Sequence, residues 1–137
     1  MAIIPWPGDG NLADQPLISA PQTLTDEWTS LGDYEIPTQR AQRIAVYFDL
    51  DINNSKKVRM RLVGKTQYGV SDYFILHAAE GSLAVNSEYY EFADADNRQD
   101  ARFRLDKTAP IVQVQVMANT VGVTPARILS AKIIISQ

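Results

Sequence analysis

The alternation of apolar and polar residues in the last third of the chain constrains the fold more than any other feature. Three valines alternate with two glutamines and a methionine across Val112–Met117. A strict period of two predicts a β-strand with one buried face and one solvated face. The same alternation recurs in Arg43–Leu50 and Val58–Gly64, and no segment carries a sustained helical stripe. The chain is therefore expected to fold from strands.

Strand-like runs follow one another at about ten-residue spacing, with turn signals such as Gly32-Asp33 between them. The candidate segments for these strands are Ile18–Leu24, Glu27–Leu31, Tyr34–Ile36, Arg43–Leu50, Val58–Gly64, Tyr73–Ala78, Glu88–Phe92, Ala101–Leu105, Ile111–Ala118 and Ala126–Ile135. The pattern indicates an all-β fold, an antiparallel β-sandwich of eight or nine strands that is jelly-roll-like, although an immunoglobulin-like order fits nearly as well. The side chains predicted to be buried are Ile44, Val46, Phe48, Met60, Leu62, Val112, Val114 and Val116.

The N-terminal residues differ from the rest of the chain. Five proline and glycine residues interrupt residues 1–17, so we predict an extended N-terminal arm there and a β-sandwich domain over residues 18–137. The arm is nevertheless apolar at Ile3, Ile4 and Trp6. Two interpretations stay open: a mobile terminus, or an arm that docks these three side chains on a neighbouring surface, because tryptophan is a common interface anchor.

Composition excludes several classes of function. The chain has 137 residues, which favours one domain, and its formal net charge of −3 argues against a nucleic-acid partner. It contains no cysteine, so disulfides, thiolate metal sites and cysteine nucleophiles are excluded. The N-terminus lacks the basic region of a signal peptide, and no apolar run reaches the ~20 residues of a membrane span. We expect no membrane partner.

Oxygen-bearing side chains of the type that calcium prefers occur in two segments. Asp49, Asp51 and Asn53 share one strand face, but the glycine and glutamate of an EF-hand loop are missing. A second acidic group lies in the loop after Phe92: Asp94, Asp96, Asn97 and Asp100. We expect an Asx-rich turn and a solvated loop, respectively. His77 is the only histidine, and we expect it at the surface. These patterns predict no enzyme, no catalytic residue, no cofactor and no metal site.

The aromatic residues and the arginines each allow two interpretations. The aromatic set could form a carbohydrate platform or pack in the core and between subunits, with Trp28 expected in the core; its members are Tyr34, Tyr47, Tyr68, Tyr73, Tyr89, Tyr90, Trp6 and Trp28. Four arginines lie on the polar faces of two predicted strands: Arg59, Arg61, Arg102 and Arg104. They are expected to pair within the chain, with Asp49, Glu88 or Glu91, or with acidic residues of a neighbouring subunit.

Several segments together carry a resemblance to a known class of proteins: Leu24–Gly32, Phe48–Ser55, Val58–Arg61, Glu88–Phe92 and Val112–Gly122. The chain resembles small structural proteins of tailed bacteriophages, which are often encoded among head genes and include capsid decoration (cement) proteins. The resemblance implies a virion protein on the capsid surface, made in the host cytoplasm. It also implies binding to the major capsid protein, a homotrimer, and no catalytic residues.

The arm gains a specific role from this resemblance, because Ile3, Ile4 and Trp6 become the predicted contacts to the capsid or to a neighbouring subunit. Two other functions stay open. One is a carbohydrate-binding β-sandwich module, and the other is a phage fibre or receptor-binding subunit.

Overall fold

Two β-sheets pack against each other around one apolar core. A computed structural model describes residues 2–3, 12–38, 41–53, 55–93, 97–105, 109–120 and 124–136. The strands are β1 (Ala2–Ile3), β2 (Leu12–Pro16), β3 (Gln22–Thr23), β4 (Thr29–Ser30), β5 (Tyr34–Pro37), β6 (Arg43–Asp51), β7 (Ser55–Lys65), β8 (Phe74–Ile75), β9 (Ala84–Val85), β10 (Tyr89–Ala93), β11 (Asn97–Arg104), β12 (Ile111–Thr120) and β13 (Arg127–Ser136). Within these ranges, no helix has the length and apolar character needed to cross a membrane.

The strand order is that of a jelly roll. One sheet has eight strands, in the order β1-β5-β12-β7-β10-β9 with β4 beside β12 and β8 beside β7. The other has five, in the order β11-β6-β13-β2 with β3 beside β13. Their longer strands, β5-β12-β7-β10 and β2-β13-β6-β11, give the two four-stranded layers of that fold. All described pairings are antiparallel except the one between β1 and β5. The predicted all-β sandwich is confirmed.

The core lies between the inner faces of the two sheets. All eight side chains predicted to be buried are at most 2% exposed. Phe48 of β6 meets Phe92 of β10 edge-on, with ring centroids 5.3 Å apart, so aromatic contacts join the two sheets. Burial of each large apolar side chain contributes roughly 1.5–3 kcal/mol before entropy is counted. The strict alternation in β6, β7 and β12 therefore determines which face of each strand packs in the core.

The glutamine face of β12 is not solvated, contrary to the sequence expectation. Gln113 and Gln115 are only 5% and 6% exposed, and on neighbouring β7 Arg61 and Lys65 are 8% and 6% exposed. The physical reason is that residues 66–76 and the Trp28 ring lie over this face and contact these charged side chains. The eight-stranded sheet is therefore buried on both faces near its centre.

The first predicted strand and the arm boundary differ from the structure. Leu12–Pro16, assigned to the arm, forms β2 and pairs with β13, while only Gln22–Thr23 of the predicted strand Ile18–Leu24 is a strand. Pro16 is tolerated because β2 lies at a sheet edge. The chain then bends. The backbone N–H groups of the buried residues Leu17 and Leu24 donate hydrogen bonds to β13 and to the loop before it, respectively. The division between the arm and the domain otherwise stays a prediction.

The predicted strand Tyr73–Ala78 is also shorter than expected, because this segment changes sheets. Only Phe74–Ile75 pairs with β7 as β8. Four residues later, Ala79 forms a bridge to Phe103 of the five-stranded sheet. The short β8 therefore leaves Tyr73 and Ile75 beside the outer face of the eight-stranded sheet, where they are 45% and 40% exposed.

A tight turn at Gly32 and Asp33 fixes the position of β4 relative to β5, as the sequence predicts. Both residues have positive φ, 76° and 87°. A Cβ atom on Gly32 would lie 1.9 Å from the Leu17 carbonyl oxygen, so only glycine fits. The turn places Trp28 and Glu35, which flank it, on the outer face of the eight-stranded sheet.

Candidate functional site

Arg61 lies at the centre of the outer face of the eight-stranded sheet. In register, it stands between Gln115 of β12 and Tyr89 of β10. Its guanidinium donates hydrogen bonds to Gln115 Oε1 at 2.8 and 3.0 Å and to the Tyr73 hydroxyl at 2.9 Å. The Trp28 ring centroid is 4.1 Å from the guanidinium carbon and that of Tyr73 is 5.1 Å away. The cation is thus held by hydrogen bonds and by two aromatic faces.

A second arginine extends the same arrangement along β7. The Arg59 guanidinium lies 5.1 Å from the Tyr89 ring centroid, and Tyr89 packs edge-on against Trp28 at 6.1 Å. Arg59 Nε also lies 3.0 Å from Glu91 Oε2, and Lys57 Nζ is 3.4 Å from the other oxygen of that carboxylate. The arginine–aromatic cluster is defined as Trp28, Arg59, Arg61, Tyr73 and Tyr89.

The cations on the outer face of β7 form a strip in which they outnumber the carboxylates that contact them. Among the described residues, Glu91 is shared by two cations of β7, and no carboxylate forms an ion pair with Arg61. Burial lowers the pKa of Arg61 below its ordinary value, and the hydrogen bond to Tyr73 and the charge of Glu88 offset part of that effect. A desolvated cation without a carboxylate partner is costly, so this strip is electrostatically suited to an acidic partner surface.

Apolar side chains at the border of the cluster are exposed. Besides Ile75, Leu83 before β9 is 51% exposed, and its backbone carbonyl accepts a hydrogen bond from the Glu91 N–H of β10. Tryptophan, tyrosine and arginine are enriched at protein interfaces, and energetically dominant interface residues are of the same types. The outer face of the eight-stranded sheet therefore has the composition of a protein-binding surface.

A buried ion pair holds residues 66–76, here called the covering segment, on the outer face of the eight-stranded sheet. Glu35 of β5 and Lys65 of β7 have side chains only 3% and 7% exposed, and Lys65 Nζ lies 3.2 Å from Glu35 Oε1. Lys65 also donates to the Val70 carbonyl at 2.8 Å, and the Gly69 N–H donates to the Glu35 carboxylate at 3.1 and 3.2 Å. The pair thereby fixes the turn that leads to Tyr73. The two residues lie thirty positions apart, and local pattern gives no signal of this pairing.

The first acidic group is occupied by contacts within the chain. Asp49 Oδ2 accepts a hydrogen bond from the Ser130 hydroxyl at 2.8 Å, and Asp51 pairs with Arg127 at 2.9 Å. The Asn53 side chain donates to a backbone carbonyl of the loop before β13 at 3.0 Å. These residues hold β6 against β13.

The second acidic group is described only in part. Asp94 and Asp96 lie outside the described residues, as does the side chain of Asn97. Asp100 Oδ2 lies 3.0 Å from Arg102 Nε, and this contact, with a smaller contribution from Tyr47, raises the pKa of Arg102. In the described part of the chain, no group of three or more histidine, cysteine, aspartate or glutamate side chains could hold a metal ion.

The remaining charged residues of the sequence analysis lie at the surface. Arg104 Nε pairs with Glu80 Oε1 at 3.0 Å. The side chain of His77 is 70% exposed, as predicted, and its Nε2 lies 3.6 Å from Glu88 Oε1. Arg102 and Arg104 are on β11, in the other sheet from Arg59 and Arg61, so the four arginines do not form one patch.

The described aromatic residues of this set lie in four different environments, so they form no single platform. Tyr90 is 4% exposed in the core, and Tyr34 packs against the core. Tyr47 lies on the five-stranded sheet, and Tyr68 is 39% exposed in the turn after β7. The expectation that Trp28 belongs to the core is wrong. Trp28 is half-buried on the outer face of the eight-stranded sheet, where its ring packs against the Arg61 guanidinium.

The start of the arm contacts the edge of the eight-stranded sheet. The backbone of Ala2–Ile3 pairs in parallel with Tyr34–Glu35 of β5. Ile4 and Trp6, and the side chain of Ile3, lie outside the described part of the chain. The role of Ile3, Ile4 and Trp6 as capsid or subunit contacts stays a prediction.

Strand pairing defines the class of this protein, a jelly-roll β-sandwich whose larger sheet carries the arginine–aromatic cluster on its outer face. No family model matches the chain. Curated relatives include the probable DNA-directed RNA polymerase subunit delta of Staphylococcus aureus, 27% identical over 82 residues, which are 60% of this chain and 44% of that protein. The chain thus spans less than half the length of the curated relatives it matches.

Solved structures similar to the chain include two proteins of different kinds. The SPBc2 prophage-derived protein YomS matches with 11% identity and a TM-score of 0.47, covering 93% of this chain and 94% of that one. A carbohydrate-binding module of Cellvibrio mixtus lichenase 5A, in complex with cellotriose, matches with 9% identity and a TM-score of 0.46, covering 90% and 97%. These similarities assign no residue of the site.

Proposed function

We propose that this chain is a structural protein of a tailed-bacteriophage virion, and that it acts without catalysis as a capsid decoration protein. The observation that carries the proposal is the arginine–aromatic cluster with its exposed apolar border, a surface composed like a protein interface. The sequence resemblance to phage head proteins supports the same conclusion. The proposed partner is the major capsid protein on the outside of the shell.

Binding of this kind stabilises the shell by mass action. A protein that binds the assembled shell and not its separated subunits shifts the equilibrium toward the shell. A stable contact needs at least about 1,000 Å² of buried surface, which favours a broad sheet face over a narrow cleft. The proposed homotrimer would present three such faces and raise the effective concentration of each. The excess cations of β7 suit an acidic capsid surface.

Binding to mature shells that lack this protein tests the proposal. We expect Ile75→Glu to weaken co-sedimentation with such shells by about tenfold or more, because an acidic side chain would enter an apolar contact facing an acidic partner. Leu129→Glu is the matched control, because Ile75 and Leu129 are both 40% exposed but lie on opposite sheets. The control is expected to bind like the unmodified protein.

Equal losses in the two variants, or no binding of the unmodified protein, would contradict the proposal. Two rival functions would then gain weight, each with its own signature. A fibre or receptor-binding subunit would bind the host surface and not the shell, and a carbohydrate-binding module would bind glycans without binding the shell.

A further inference from the structure

A groove crosses the outer face of the five-stranded sheet, on the side opposite the arginine–aromatic cluster. It has a volume of about 590 Å³, within the range of small-molecule sites. Its floor is built by cross-strand neighbours: Tyr47 stands opposite Lys132, and Asp49 opposite Ser130. One wall is apolar and comes from the turn after β2, through Pro16 and Ile18.

The sequence places these side chains together through a β-bulge. The register between β6 and β13 shifts between Ile128 and Ser130, and the extra residue, Leu129, stands 40% exposed. Bulges of this kind re-aim neighbouring side chains and are common beside binding sites. Here the bulge brings the Ser130 hydroxyl to 2.8 Å from Asp49 Oδ2, so that carboxylate is already oriented within the groove.

The chemistry of the lining fits a neutral polyhydroxylated ligand. A carboxylate accepts hydrogen bonds, an ammonium group donates them, and the Ser130 hydroxyl does both, so adjacent hydroxyl groups of a ligand can be satisfied in either direction. Among the described residues that line the groove, the charged ones are Asp49 and Lys132, and their opposite charges give this lining no excess of one sign to select an anion. The Tyr47 ring and Ile18 supply the apolar contact that the C–H face of a sugar ring needs.

We propose that this groove is a binding site for a neutral oligosaccharide. Ser130 and Lys132 are exposed, so the groove is open enough for a ligand that continues beyond it. The site is independent of the proposed attachment to a shell, because the two surfaces belong to opposite sheets. A protein attached through one sheet would present the groove outward.

A glycan array carrying neutral and acidic oligosaccharides, followed by calorimetric titration with the best-bound neutral glycan, tests this site. Tyr47→Ala and Asp49→Asn are each expected to weaken that binding by about tenfold or more. Tyr73→Ala is the matched control, because Tyr73 is likewise an outer-face tyrosine beside an arginine, but on the other sheet. The control should bind the glycan with unchanged affinity, and thermal melting should show that all three variants are folded.

Three results would overturn the proposal. One is the absence of any neutral glycan bound on the array. Another is a preference for acidic glycans alone. The third is loss of binding in Tyr73→Ala with binding retained in Tyr47→Ala, which would move the site to the arginine–aromatic cluster. Shell binding by the unmodified protein is measured separately, so failure of this site and failure of the proposed function give different results.

Discussion

Val114→Asp is expected to leave the chain unfolded at 25 °C. Val114 is 2% exposed at the centre of β12, directly opposite Leu62 of β7. Burying a polar group without a partner costs roughly 2–7 kcal/mol even when it carries no charge, and the net stability of a domain is only about 5–15 kcal/mol. Far-ultraviolet circular dichroism would show loss of the β-sheet signal.

The control for this substitution is Asn119→Asp, because Asn119 is exposed on the same strand. It adds the same charge without burying it, and its melting temperature is expected to stay within a few degrees of that of the unmodified chain. A folded Val114→Asp variant with an unchanged melting temperature would contradict the position of β12 in the core.

Lys65→Met is expected to be the next most damaging change, because it leaves the buried Glu35 carboxylate without its cation. Removing one partner of a buried ion pair costs about 3–5 kcal/mol, which corresponds to a melting temperature lower by roughly 10–20 °C for a chain of this length. Glu35→Gln combined with Lys65→Met should recover part of the loss, since glutamine keeps an oxygen acceptor for the Gly69 N–H. Thermal denaturation followed by circular dichroism measures both variants.

Arg102→Met supplies the surface control for that experiment. Arg102 pairs with Asp100 at 3.0 Å, but its side chain is 66% exposed, and solvent screens exposed pairs so that they contribute little to stability. If Lys65→Met lowered the melting temperature no more than Arg102→Met does, the Glu35–Lys65 ion pair would not hold the covering segment.

The inward-facing residues of the long strands could be predicted from the sequence, because apolar and polar residues alternate there within a few positions. Across Ile44–Leu50 of β6 and Val112–Ala118 of β12, every second position is apolar, and these side chains are buried between the two sheets. The turn at Gly32 could be predicted in the same way, because Gly32-Asp33 is a local turn signal. These features depend on neighbours that lie within a few residues of one another.

The outer faces could not be predicted in the same way, because their environment depends on distant segments. Gln115 looks solvated in its own strand, yet it is buried by Arg61 and by the ring of Trp28. β2 was missed because residues 12–16 have little alternation of their own and pair with β13, more than a hundred positions away. The candidate site is therefore a product of topology rather than of a motif.

Electron cryomicroscopy of mature phage shells that lack this protein, imaged after incubation with it, tests the central proposal most directly. We expect additional density on the outside of the shell, in clusters of three copies, with the eight-stranded sheet and its arginine–aromatic cluster against the capsid protein. The groove between β6 and β13 would then face the solvent. Absence of added density, or density in which the five-stranded sheet contacts the shell, would contradict it.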